Sequence, residues 1–149
     1  MLRIATAILA ALSVTACTGV GESPLVLESD LWVALGSADS SGSRATDSTG
    51  SESPPSVEFL SDGQLQGFTS CNTFFGSYTT KETDSVSQIT ITIEGMTLAL
   101  CPDDVREQDY VEKLRNARRY TVRHRQLLLM DSTGTVVLTF VPASTIQKR

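Results

Sequence analysis

From residue 57 onward, apolar and polar residues alternate with a period of two, which predicts a series of short β-strands. The alternation is clearest at 89–93, where isoleucines alternate with threonines. Asp62-Gly63 predicts a tight hairpin turn, and Pro142 marks the end of the last strand. A first strand is predicted within 26–35. Strands of this kind, with a single helix, predict an α+β fold of mainly antiparallel sheet that curls into a small barrel and so leaves no exposed edges.

The helical period appears near residues 103–118. Pro102 suits a first helical turn, and the acids after it suit the positive end of the helix dipole. Apolar residues then recur every three or four positions. The segment 113–125 is basic and contains no acid, which predicts a binding surface for an anionic lipid, a polysaccharide or an acidic protein. Alternatively, these charges only complement the helix dipole. The candidate partner-binding residues are Arg118, Arg119, Arg123 and Arg125.

The N-terminus has the pattern of an export signal. Residues 1–16 contain one basic residue, then an uncharged apolar run, then small residues. As a helix the apolar run is about 20 Å long, shorter than the roughly 30 Å hydrocarbon core, so a spanning anchor is not expected. Val14-Thr15-Ala16 before Cys17 resembles the lipobox of bacterial lipoproteins, which implies acyl chains on Cys17 that hold the protein on a membrane. Thr18 favours the outer membrane or its periplasmic face. The alternative is ordinary cleavage that leaves Cys17 as a free N-terminal thiol.

Two further cysteines, Cys71 and Cys101, would then lie in an oxidising compartment. A disulfide between them is the simplest expectation, and it would stabilise the fold by roughly 3 to 4 kcal/mol through loop closure. Two buried, unpaired thiols are an alternative. Another is a reactive Cys101, since a thiol just before a helix N-terminus has a stabilised thiolate.

The domain plan follows from changes in composition. After the signal peptide at 1–16, residues 17–25 are small and polar and suit a tether. The domain extends over 26–142, and 143–149 form a C-terminal tail. Within the domain, 36–56 is rich in Ser, Gly and Pro and is expected to be a disordered loop, since it has few apolar side chains to bury. This loop is interpreted either as a tolerated insertion or as a binding loop.

The segment from Cys71 to Tyr78 reads Cys-Asn-Thr-Phe-Phe-Gly-Ser-Tyr. It resembles the signature of the META/HslJ-like domain family of bacterial envelope lipoproteins, in which Asn72, Phe74, Gly76 and Tyr78 are the motif positions. Ser70 stands where the family usually has Gly, a residue that reaches positive φ more easily. Outside the motif, the resemblance also rests on Trp32, Thr97, Glu107, Tyr110 and Leu114.

Within the motif, Phe74 and Tyr78 lie on one face of a strand and are expected to be core anchors. Asn72 is expected to satisfy backbone groups near the cysteine pair. The resemblance implies a compact β-rich envelope domain associated with stress and antibiotic tolerance, and it supplies no catalytic residues.

The charge and the residue types narrow the function further. The 17 acidic residues outnumber the 12 basic ones, which disfavours nucleic acid as a partner. The single histidine, His124, lies in an expected turn between two arginines, so neither a catalytic triad nor a His-based metal site is predicted. No cofactor is predicted. We therefore expect a non-enzymatic structural or interaction role in the envelope, with an unknown envelope protein or polysaccharide as partner. A module that binds a small ligand or inhibits a hydrolase is the alternative.

Overall fold

The structure is a computed structural model that describes residues 26–35, 53–83, 86–100 and 104–146. Eight strands form a closed antiparallel barrel in sequence order, and β1 closes the ring by pairing with β8. The strands are β1 Leu31–Ala34, β2 Ser56–Phe59, β3 Gln64–Phe68, β4 Thr73–Lys81, β5 Ser87–Met96, β6 Arg119–Arg123, β7 Gln126–Met130 and β8 Val136–Pro142. Two helices accompany them, α1 Asp104–Asn116 and α2 Ala143–Ile146. The expected α+β class with a small barrel is confirmed.

The barrel interior is filled with side chains. Alternate residues of each strand point inward, and large apolar groups from both ends of the chain meet there. Trp32 is fully buried, and its indole Nε1 donates to the Leu27 carbonyl at 2.7 Å. Strand residues with relative exposures below 2% include Trp32, Val57, Phe59, Leu65, Leu127, Leu129 and Phe140.

Helix α1 completes the barrel wall where the strand pairing is short. Strands β5 and β6 share only two registered pairs, Ser87 with Tyr120 and Gln88 with Arg119. Beyond these pairs α1 packs against β5, with Val111 and Leu114 buried. The apolar stripe that the sequence predicts therefore faces the barrel core.

Four elements differ from the sequence-based expectations. Helix α1 ends at Asn116, before the expected end at residue 118, because the Arg118 amide already donates to the Met130 carbonyl at 2.8 Å and leads into β6. The predicted first strand contains a 3-10 turn at Leu27–Ser29, and this turn places the Leu27 carbonyl where it accepts the hydrogen bond from the Trp32 indole.

The predicted loop 36–56 also ends earlier than expected. Ser56 is already part of β2, and the Ala34 amide donates to the Pro55 carbonyl at 2.8 Å. Residues 36–52 of that loop, like the predicted signal peptide and tether at 1–25, lie outside the described residues. Part of the predicted tail forms α2.

Candidate functional site

The turn between β3 and β4 carries the start of the Cys71–Tyr78 motif and is held by hydrogen bonds between its own residues. The Thr69 amide donates to the Asn72 carbonyl at 2.8 Å, and the Asn72 amide donates to the Thr69 hydroxyl at 2.9 Å. Ser70, between them, has a φ of 89°. This is the left-handed region that favours glycine, so the position at which this chain departs from the family pattern is a strained one.

Asn72 joins three segments of the chain through its side chain, which is buried. Its Oδ1 accepts from the Thr97 hydroxyl and from the Ala99 amide, both at 2.8 Å. Its Nδ2 donates to the Ala99 carbonyl at 3.3 Å and to Glu107 Oε2 at 3.2 Å. The β3–β4 turn, the segment after β5 and helix α1 are thus tied together at one point.

Glu107 projects from α1 into the same cluster and is 9% exposed. One carboxylate oxygen accepts from Asn72, and the other accepts a short hydrogen bond from the Thr69 hydroxyl. A buried carboxylate is tolerated when its oxygens are hydrogen-bonded in this way. These hydrogen bonds tie the β3–β4 turn to helix α1.

The remaining motif residues either pack in the barrel core or allow two strands of its wall to approach closely. Phe74 and Tyr78 point inward and are buried. A Cβ at Gly76 would lie 2.0 Å from the Thr92 carbonyl oxygen, so only glycine fits where β4 and β5 come together beside a register shift. The Tyr78 hydroxyl lies 2.8 Å from the Leu60 carbonyl and 2.9 Å from Glu28. Burial, and then Glu28, raise the pKa of Tyr78, so the phenol stays neutral.

Two of the three cysteines for which a role is predicted lie outside the residues that the structure describes. Cys17 and Cys101 lie outside the described residues, and Cys71 lies at the half-buried end of the β3–β4 turn. The lipid anchor and the Cys71–Cys101 disulfide therefore stay predictions. The contact of Asn72 with Ala99 does bring the turn that carries Cys71 next to the segment that leads to Cys101.

The four predicted partner-binding arginines lie in β6 or within two residues of its ends, and their role as a binding surface stays a prediction. Arg118 turns back on α1, and its guanidinium donates to the carbonyls of Arg115 and Ala117, each at 2.7 Å. It therefore caps the helix C-terminus. Arg119 and Arg123 are exposed at the two ends of β6, about 13 Å apart at strand rise. Arg125 shares with His124 a turn in which both residues have positive φ, as in a two-residue hairpin.

An accessible groove lies on the outer face of the barrel, where sequence reasoning placed no site. It has a volume of about 400 Å³ and crosses strands β1 to β4. Its outward row is formed by directly paired residues, namely Leu31, Glu58, Gln66 and Phe75. The adjacent Phe74 and Phe75 could have indicated it, since neighbouring strand residues face opposite sides and only one of the two rings can reach the core.

A second, smaller cavity of about 230 Å³ lies at the end of the barrel near the first described residues. Glu28, Glu82 and Tyr120 line it together with Val122. Burial raises the pKa of Tyr120. Among the residues that the structure describes, no three His, Cys, Asp or Glu side chains are grouped to hold a metal ion. No described helix has the length and apolar character needed to cross a membrane.

Comparison with known proteins gives a family match and distant structural similarities. No curated protein matches the chain. An NMR structure of a protein from Burkholderia xenovorans is similar, with a TM-score of 0.54 and 24% identity, and the match covers 90% of this chain and 99% of that one. A second NMR structure matches with a TM-score of 0.50 and 21% identity, over 81% of this chain and 95% of that one.

A DUF4847 family protein from Bacteroides vulgatus matches at 21% identity and a TM-score of 0.49, over 58% of this chain and 57% of its own length, so this chain spans less than two thirds of that protein. At such identities, the two NMR structures support the fold alone. The family model for the META domain matches residues 25–144, most of the chain. The chain belongs to the META domain family.

Proposed function

We propose that this protein is a non-enzymatic interaction module of the bacterial cell envelope, held on a membrane by acyl chains on Cys17. The lipobox-like sequence before Cys17 supports the anchor, and membership of the META domain family is consistent with an envelope role. A contribution to envelope stress or antibiotic tolerance is part of the same proposal.

The observation that carries this proposal is the filled barrel interior. Inward-facing side chains such as Trp32, Phe59 and Phe140 are at most 1% exposed, so the core leaves little space for an internal ligand. The buried polar cluster of Thr69, Asn72 and Glu107 is occupied by internal hydrogen bonds. Binding is therefore expected on the outer surface, where the groove and the arginines of β6 are accessible.

The test is photo-crosslinking of the full chain in intact cells. A photoreactive amino acid replaces, one at a time, the outward residues Phe75, Thr90, Arg119 and Arg123, while Arg118 is left in place because it caps α1. We expect a discrete adduct from at least one position. An absence of adducts at all four positions, together with a small molecule retained in native mass spectra, would instead support the small-ligand module and its cavity beside Tyr120.

The anchor has its own measurement. The intact mass of membrane-extracted protein should include acyl chains on Cys17, and the Cys17→Ser variant should leave the membrane fraction. An unmodified mass on membrane-extracted protein would contradict the anchor.

We also propose that Cys71 and Cys101 form a disulfide. The hydrogen bonds between Asn72 and Ala99 support it, since they hold the two cysteine-bearing segments side by side. Alkylation before reduction should leave both positions unlabelled in natively purified protein. Stoichiometric labelling of both would contradict the pairing.

A further inference from the structure

We propose that the outer groove of Leu31, Glu58, Gln66 and Phe75 is a docking site for an arginine-rich segment of a partner protein, with one guanidinium at Glu58 and Gln66 and another on the ring of Phe75. This inference rests on the proposed interaction function and names the chemistry of the partner. The four residues form a single row across neighbouring strands, in which Leu31 pairs with Glu58, Glu58 with Gln66, and Gln66 with Phe75. With strands about 4.8 Å apart, the carboxylate of Glu58 and the ring of Phe75 begin about 10 Å apart.

The polar part of the groove presents hydrogen-bond acceptors. Gln66 Nε2 donates to Glu58 Oε2 at 2.8 Å, which fixes the amide and the carboxylate relative to each other. The second oxygen of each group, Gln66 Oε1 and Glu58 Oε1, takes no part in this bond. A ligand that brings several donors in one plane fits such a pair of oxygens, and a guanidinium has five N–H donors in a rigid fork.

The apolar part is an aromatic ring that the fold keeps at the surface. Phe75 is 58% exposed although it is a large apolar residue. A Cβ added at Gly95 would lie 2.5 Å from the tip of the Phe75 ring, so the absence of a side chain there lets the ring lie against β5. Because the ring leans onto β5, away from Gln66 on β3, its exposed face suits the guanidinium of a second arginine in the same segment.

The electrostatics favour a cation over an anion. Among the residues that the structure describes, Glu58 is the one charged side chain that lines the groove. The exposed Glu94, next to Gly95 on β5, adds a second carboxylate near the Phe75 ring. The whole chain carries a net charge of −5, which attracts basic partners over longer distances. Leu31, at 39% exposure and paired with Glu58, provides apolar contact for the methylene stem of the arginine bound at Glu58.

The experiment measures the affinity of the full chain, purified in a neutral detergent, for fluorescent hexa-arginine at physiological ionic strength. Hexa-lysine and unlabelled cellohexaose are the competitors. We expect hexa-arginine to bind at least fivefold more tightly than hexa-lysine, because an ammonium has no planar fork with which to donate two parallel hydrogen bonds or to stack on a ring. Cellohexaose should not compete.

The variants locate the binding on the groove. Glu58→Gln should weaken hexa-arginine binding about tenfold, and Phe75→Ala about fivefold. The matched controls are Glu112→Gln, the same charge change on the exposed face of α1, and Thr79→Ala, an outward position on β4. Both should change the affinity less than twofold. Thermal melts of each variant verify folding. If Phe75→Ala proves unstable, Glu58→Gln still tests the groove, because glutamine has nearly the same shape as glutamate.

Two results would overturn the inference. Equal effects of Glu58→Gln and Glu112→Gln would mean that hexa-arginine binds by general charge attraction. If cellohexaose displaces hexa-arginine from the wild type but does not do so from Phe75→Ala, the groove is a glycan site. In either case, adducts from Arg119 or Arg123 in the crosslinking experiment would still support an interaction module, whereas absence of adducts at every position would contradict that function itself.

Discussion

Replacement of tyrosine by phenylalanine should change the stability of the protein in opposite directions at Tyr110 and at Tyr78. Tyr110 projects from α1 into the core, between the rings of Phe74 and Phe140, whose centroids lie 6.2 and 6.4 Å from its own. Its hydroxyl is buried, and it has no hydrogen-bond partner among the residues that the structure describes. The Tyr78 hydroxyl, by contrast, lies within 2.9 Å of two acceptors.

The expected effects follow from these contacts. An unpaired buried hydroxyl costs about 1 to 3 kcal/mol relative to water, so Tyr110→Phe should stabilise the protein by about 1 kcal/mol after the loss of some packing. For a domain of this size that corresponds to a rise in melting temperature of about 4 °C. Tyr78→Phe loses a hydrogen bond and should destabilise by about 1 kcal/mol.

Urea unfolding at pH 7 measures both changes as shifts of the midpoint at constant slope. Burial raises the pKa of Tyr110, so its phenol stays neutral in the folded protein above the ordinary value of 10.0. A raised folded-state pKa gives stability that is present below pH 10 and lost as the pH rises further, when the unfolded chain ionises. The advantage of Tyr110→Phe should therefore grow above pH 10. Destabilisation of Tyr110→Phe by as much as Tyr78→Phe would refute the reasoning, because it would mean that the Tyr110 hydroxyl is hydrogen-bonded.

Three further predictions test the motif turn and one hairpin. Asn72→Asp places a carboxylate against Glu107 and should cost about 3 kcal/mol or more at pH 7, because it replaces the Nδ2 donor with a like charge. Urea melts measure this cost, with Gln88→Glu as the exposed control. Ser70→Gly should relieve the positive φ and stabilise by up to about 1 kcal/mol, whereas Ser132→Gly should not stabilise. The Thr133 hydroxyl, and then the amides of Thr135 and Thr133, lower the pKa of Asp131, so its contribution is present above the ordinary value of 3.8 and lost in acid; the stability difference between the wild type and Asp131→Asn should vanish near pH 2.

The sequence was sufficient to predict the fold class because the pattern is local. Alternation with period two predicts strands wherever one face is buried, and the Ile-Thr alternation of β5 is an example. A turn at His124 is also expected from the sequence, but its type I′-like conformation is less obvious, because the two central residues are not the Asn-Gly or Asp-Gly that such hairpins usually carry.

The candidate sites were less predictable because they depend on distant residues. The role of Asn72 is fixed by Thr97, Ala99 and Glu107, which lie 25 to 35 positions away along the chain. The outer groove brings together Glu58 and Phe75 through two successive strand pairings, so its composition depends on the register. Periodicity shows which residues face outward but does not show which of them are neighbours.

The short pairing of β5 with β6 suggests how this domain can open without unfolding. The Ile89 amide donates across that junction to the Arg118 carbonyl, and alternate amides of an antiparallel strand point to the same side. The amides of Ile91 and Ile93 therefore face α1 instead of a strand. Detachment of the helix alone would expose them to solvent, while the meander from β2 to β5 stays paired. Deuterium should then enter these two positions at a rate set by helix undocking, well before it enters the centres of the hairpins.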